Sequence, residues 1–213
     1  TTVQRLELSS DYITEGHALK GVLKADMENI RATMEKIDYN TFEDVVNNIF
    51  AAKRIYIIGL RSSMALAEFL GFYLNIILQN VKTVGYGISD IFEQMINVGE
   101  GDLVIGIGFP RYASRTIDAL AFAQDRGARV VAVTDSFLSP LATRADYALI
   151  AQSNMASFVD SLVAPLSVIN ALIIAVGMRE KDNISSTFNS LEEIWQEYNV
   201  YSYLKESTHG NQK

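Results

Sequence analysis

The chain has 213 residues, 49% of them hydrophobic and 20% charged, which excludes a disordered polymer and fits one globular domain with an appended helical segment. Eighteen Lys and Arg against 25 Asp and Glu leave a net charge of −7; this chain alone is not expected to grip nucleic acid, whose phosphates demand clustered cations, although a small anion remains possible. There is no cysteine, so disulfides and thiolate chemistry are excluded, and a reducing cytoplasm is the expected setting.

The first residue is Thr1, not Met, which suits an excised piece of a longer protein, and no basic stretch followed by an apolar one marks a secretory signal. Residues 1–40 read as a helical leader. Within it Leu19, Val22, Leu23, Met27, Ile30, Met34 and Ile37 recur at the spacing of one helix face. Thr41 with Asp44 three residues on predicts the cap of a second helix reaching Phe50. From there the element types alternate. Residues 54–58 predict a buried strand ending at Gly59, and 62–79 a helix. Residues 81–86 predict the second strand, and 89–96 a short helix capped by Ser89. The third strand is expected over 103–107, with a helix over 113–126. The fourth and fifth strands are expected over 128–134 and 147–151. An apolar helix follows from Phe158, then an amphipathic one over 184–204. Residues 41–205 thus read as the domain proper and 206–213 as a loose polar tail.

Residues 161–178 carry no charge over a length close to a membrane span. Ser161, Pro165, Ser167 and Asn170 interrupt the stretch, and it follows a strand in a repeating pattern. A helix buried against the sheet or a second subunit is therefore expected, and no membrane partner.

Near-continuous apolar strands separated by helices predict an α/β fold: a doubly wound five-stranded parallel sheet with helices on both faces, preceded by the helical leader. Ligands of such folds sit outside the carboxyl ends of the strands, where the strand order reverses. The loops after strands one, three and four are therefore the candidates. After strand one comes Gly59-Leu60-Arg61-Ser62-Ser63. Gly59 permits a tight turn, Ser62 and Ser63 supply hydroxyls beside a helix N-terminus, and Arg61 offers a forked donor for phosphate. The plainer alternative is a helix cap by Ser62 with no ligand. After strand three, Gly108 and Arg111 lead to Ser114, placed as a second cap, while Arg115 reads as a solvated helix charge. After strand four, Thr134 is expected to turn its hydroxyl into the same crevice, with Asp135 capping a turn and Ser139-Pro140 starting a helical turn. Two glycine turns at neighbouring strand ends point to a shared anion pocket.

Catalytic sets are thin. His17 and His209 lie away from the strand ends, and no Cys/His spacing suits a metal. There is no G-x-S-x-G, no phosphate loop ending in Gly-Lys-Ser/Thr, and no G-x-G-x-x-G after strand one. No metal or cofactor is expected. Glu93 and Glu68 are the carboxylates nearest the crevice, and each reads as helix surface more readily than as a base.

Taken together, the leader, the turn at 59–63, the turn at 108–116, Thr134-Asp135-Ser136 with Ser139-Pro140-Leu141-Ala142, and Arg144-Ala145-Asp146-Tyr147 resemble the sugar isomerase (SIS) domain. Gly59-Leu60-Arg61-Ser62-Ser63 and Phe109-Pro110-Arg111-Tyr112 are most similar to the sensing domain of the RpiR group of bacterial regulators. The resemblance implies a five-stranded phosphosugar-binding domain that dimerises. It also implies a helix-turn-helix DNA-binding domain preceding the leader in the whole protein. Two departures stand out. Arg61 occupies the second glycine of the family's Gly-x-Gly-x-Ser. Gly108, Pro110, Arg111 and Ala113 fall on its Ser-x-Ser-Gly-x-Thr. The implied ligand is a small phosphorylated sugar or sugar acid held by Gly59, Arg61, Ser62, Ser63, Gly108, Arg111, Ser114 and Thr134, without catalysis. An aldose–ketose isomerase and a non-catalytic dimerisation module of the same fold stay open as alternatives.

Overall fold

The structure, a computed structural model, describes residues 17–155 and 158–201. Two helices, α1 (Ala18–Lys36) and α2 (Tyr39–Ala51), precede β1 (Ile55–Gly59). A 3-10 turn at Arg61–Ser63 leads into α3 (Met64–Leu78), followed by β2 (Val81–Val84), α4 (Ile91–Gln94), β3 (Leu103–Ile107) and α5 (Ser114–Asp125). Then come β4 (Arg129–Thr134), a 3-10 turn at Ala142–Arg144, β5 (Tyr147–Ile150), α6 (Val163–Arg179) and α7 (Lys181–Glu197). The five strands are all parallel in the order β2-β1-β3-β4-β5. The order therefore reverses between β1 and β3, whose ends are level: Gly59 pairs with Ile107.

Side chains alternate across each strand, so the sheet buries two cores. One face packs Ile55, Ile57, Ile105 and Val133 against α2, α3 and α6. The other packs Tyr56, Ile58, Val104 and Val130 against α4 and α5. At the amino ends of the strands Arg54 grips the buried carboxylate of Asp102 with two hydrogen bonds, 3.0 and 2.7 Å, which fixes β1 against β3. Asp146 does the same for β5: its carboxylate accepts from the Val130 N–H at 2.7 Å while its own N–H donates to Val130 O at 2.8 Å.

Two helix starts differ from expectation for one reason: an aspartate outcompetes a neighbouring hydroxyl. Asp38 caps α2, accepting from the Thr41 N–H at 2.9 Å and the Thr41 hydroxyl at 2.6 Å. Thr41 is thereby spent as a donor, and its hydroxyl and N–H hold the Asp38 carboxyl below its ordinary range. Asp90, not Ser89, caps α4, in a capping box with Glu93. Ser139 accepts from the Ala142 N–H at 3.1 Å, so the turn after Pro140 is capped from outside it.

The apolar helix starts at Val163, five residues later than expected, and buries Ala164, Val168, Ile169, Leu172 and Val176 against α3 and α1. Among the described residues no single helix is long and apolar enough to cross a membrane. The expected leader helix is present as α1, and its apolar row lies outward. Leu19, Leu23, Met27 and Met34 are more than half exposed, and the two buried residues of the helix are Asn29 and Thr33. The first part of the leader, His209, the tail at 206–213 and the expected end of the last helix at Leu204 lie outside the described residues.

Candidate functional site

A cleft of about 560 Å³ opens where the strand order reverses, walled by residues 60–63, residues 107–116, Tyr86 and Asp160. That volume lies in the range of small-ligand sites. The first wall exists because Gly59 lets the chain fold back on itself: a Cβ there would stand 2.6 Å from the backbone oxygen of Ser63. Arg61 then adopts φ 59°, the left-handed region that favours glycine. The residue that stands at the family's second glycine thus holds a backbone that favours glycine. Neither Ser62 nor Ser63 caps α3 with its side chain, so the plain capping alternative does not hold. Ser62 instead donates to Asp160 Oδ2 at 3.1 Å.

The second wall starts at Gly108, whose N–H donates to Val133 O at 3.1 Å. A Cβ at Gly108 would meet Leu141 Cδ2 at 2.8 Å. Arg111 is exposed on the rim. Tyr112 donates its phenol proton to Asp135 Oδ1 at 2.8 Å. Burial, then that bond, push the phenol well above its usual range. Ser114 does not cap α5: the cap position is Ala113, and Ser114 is the first helical residue. It still lines the cleft, as part of a 12-residue helix whose first N–H groups and positive dipole end face it. Arg115 pairs with Asp90 and lies over the Phe92 ring, so it is engaged where a solvated charge was expected.

Of the residues expected at the site, the structure brings Arg61, Ser62, Ser63, Gly108, Arg111 and Ser114 onto the cleft walls. Gly59 lies behind the first wall as its hinge. Thr134 is not on the wall. As the last residue of β4 it is wholly buried, paired with Ile150, and its hydroxyl turns to Asp135 Oδ1 at 3.3 Å. Asp135 is thereby a partner for Tyr112 and Thr134, not a turn cap.

Thr116 and Asp160 are among the cleft residues that were missed. Thr116 lines the cleft and is 1% exposed, yet its hydroxyl has no hydrogen-bond partner among the described residues. Such an orphan costs about 1–3 kcal/mol unless something satisfies it. A threonine two residues past Ser114 is the only trace in the sequence. Asp160 arrives from the loop before α6, 98 residues beyond its partner Ser62, and no local pattern announces it. Glu93, Glu68 and His17 do not line the cleft. No group of three or more potential metal ligands occurs among the described residues.

The doubly wound sheet thus places hydroxyls, arginines and a helix N-terminus around one cleft at its reversal point. Residues 48–175 match the SIS domain, and the chain belongs to that family. It is 30% identical over 142 residues to an uncharacterized HTH-type transcriptional regulator of Haemophilus influenzae, covering 67% of this chain and 48% of that protein. A second such regulator, from Caldanaerobacter subterraneus, is 28% identical over 103 residues, 46% of this chain and 36% of the relative. The chain thus spans less than half the length of these relatives. Its fold is similar to the sugar isomerase domain of an RpiR transcription factor from Sphaerobacter thermophilus, with 29% identity and a TM-score of 0.79 over 83% of this chain and 99% of that one. The Vibrio vulnificus NanR protein, solved in complex with ManNAc-6P, shares the fold at 18% identity and a TM-score of 0.72, covering 95% of this chain and 77% of that one.

Proposed function

We propose that this chain is the phosphosugar-sensing part of an RpiR-like transcriptional regulator, acting in the cytoplasm as a homodimer and contacting DNA only through a helix-turn-helix domain elsewhere in the whole protein. The observation that carries the reading is the cleft at the reversal point, where exposed Ser62, Arg61 and Arg111 stand beside the N-terminus of α5. A phosphate monoester there accepts from Ser62 and Ser63 and pairs with Arg61 or Arg111 at the rim. The similarity to regulator domains supports a sensing role, as does NanR, a protein of similar fold solved in complex with ManNAc-6P.

The isomerase reading needs a base in reach of the sugar carbons. Asp160 is the carboxylate on the cleft wall, and it accepts from Ser62. A coupled aldose–ketose assay on the same sugar phosphates separates the readings: binding without turnover is expected. The test of the proposal is calorimetric titration of hexose, amino-sugar and acid-sugar phosphates into the chain.

A further inference from the structure

We propose that Asp160 is a latch: its contact with Ser62 and a phosphate on Ser62 exclude each other, and breaking that contact is what carries ligand binding to α1. The inference rests on reading the cleft as a phosphate site, and it adds how that site is coupled to the rest of the chain.

Ser62 has one hydroxyl proton, and it goes to Asp160 Oδ2. A phosphate oxygen bound by Ser62 takes that proton, and its charge repels the carboxylate at close range. Asp160 therefore leaves when a phosphate arrives. The next residue is tied elsewhere. Ser161 donates its hydroxyl to Asp26 Oδ1 of α1 at 2.6 Å, and its carbonyl accepts from the Ser153 hydroxyl at 2.8 Å.

The chain leaving β5 is stitched to the same side of α1 at two further points. Asn29 donates its amide to Asn154 O at 2.8 Å and accepts from the Asn154 N–H at 3.1 Å. The Thr33 hydroxyl accepts from the Gln152 N–H at 2.8 Å. Asp26, Asn29 and Thr33 recur at helical spacing and form the polar edge by which α1 meets these loops. Gln152 also donates its side-chain amide to Asp135 O at 3.2 Å, and Asp135 holds Tyr112 on the opposite wall. Both walls of the cleft are thus joined to α1 by directional contacts. A ligand that shifts Asp160 and Ser161 alters what α1 rests on, and its coupling energy is the difference in its affinity for the two arrangements.

The test uses glucose 6-phosphate and N-acetylmannosamine 6-phosphate as probes, with calorimetry for affinity and hydrogen exchange over residues 18–36 for α1. Asp160→Ala removes the competitor and its charge, so either ester that binds the unaltered chain is expected to bind the variant about tenfold more tightly. The α1 amides of the variant should exchange without ester as those of the unaltered chain do with it. Ser161→Ala keeps the Asp160–Ser62 contact but cuts the tie to Asp26, so the ester binds and the α1 response is lost. Equal affinity in Asp160→Ala overturns the latch, and an undiminished α1 response in Ser161→Ala overturns its link to α1. Binding of an ester without an Asp160→Ala effect removes the latch alone. Failure of every sugar phosphate to bind the unaltered chain removes the phosphate-site reading and the latch together.

Discussion

Arg61 holds a left-handed backbone at the mouth of the cleft, a conformation that costs a non-glycine residue about 1 kcal/mol. Glycine would escape that cost but lose about 0.5–1 kcal/mol through its freer unfolded chain. The two effects offset, so Arg61→Gly should leave the urea midpoint nearly unchanged. If the guanidinium serves the ligand, the same variant weakens sugar-phosphate binding, and calorimetry beside the denaturation curve separates the two. Thr116 offers a sharper contrast. Thr116→Val keeps the shape and removes the orphaned hydroxyl, so the fold should gain about 1 kcal/mol in urea denaturation. A loss of stability would mean that the hydroxyl has a structural partner. The turn at Gly59 and its serines, Ser62 exposed and Ser63 buried, were legible because glycine and hydroxyls at a strand-to-helix junction are a local pattern. Thr116 and Asp160 were not, because one depends on burial and the other on a chain reversal a hundred residues away.

At the scale of elements, α1 is held in an unusual way. Its apolar row points outward while Asn29 and Thr33 are its buried residues, although the spacing of that row made the helix itself easy to foresee. Periodicity shows that a helix has a face; it does not show which neighbour the face meets. Asn29→Ala strips two hydrogen bonds from Asn154 and should cost about 1–3 kcal/mol. Exchange of the amides over 18–36 should rise while that of β1 and β3 does not. Uniform acceleration across the sheet would instead make α1 part of the cooperative core. Cap positions were the least legible feature, since Asp38 and Asp90 each displaced a predicted Thr or Ser by one to three residues. Short side chains of similar capping strength compete locally, and the backbone path decides among them.

For the whole molecule, the parallel sheet and its two covered faces followed from apolar strands alternating with helices, and the structure has that architecture with the order β2-β1-β3-β4-β5. Because β1 and β3 are adjacent at the reversal, two turns 49 residues apart in sequence, starting at Gly59 and Gly108, become facing walls. The outward row on α1 belongs to this scale too. If it is buried between two copies, sedimentation should give twice the chain mass, and Leu23→Lys with Met27→Lys should give monomers that keep the far-ultraviolet spectrum of the unaltered chain. Persistence of the dimer in that variant would assign the interface to another face.

The central claim is that the cleft holds a sugar phosphate on the turn after β1. It is tested most directly by titrating a panel of hexose, amino-sugar and acid-sugar phosphates into the unaltered chain and into Ser62→Ala/Ser63→Ala. Saturable binding of at least one member is predicted, weakened more than about tenfold in the double variant because two hydrogen bonds to a charged group are lost. No binding by any member, or equal binding to both proteins, would contradict it.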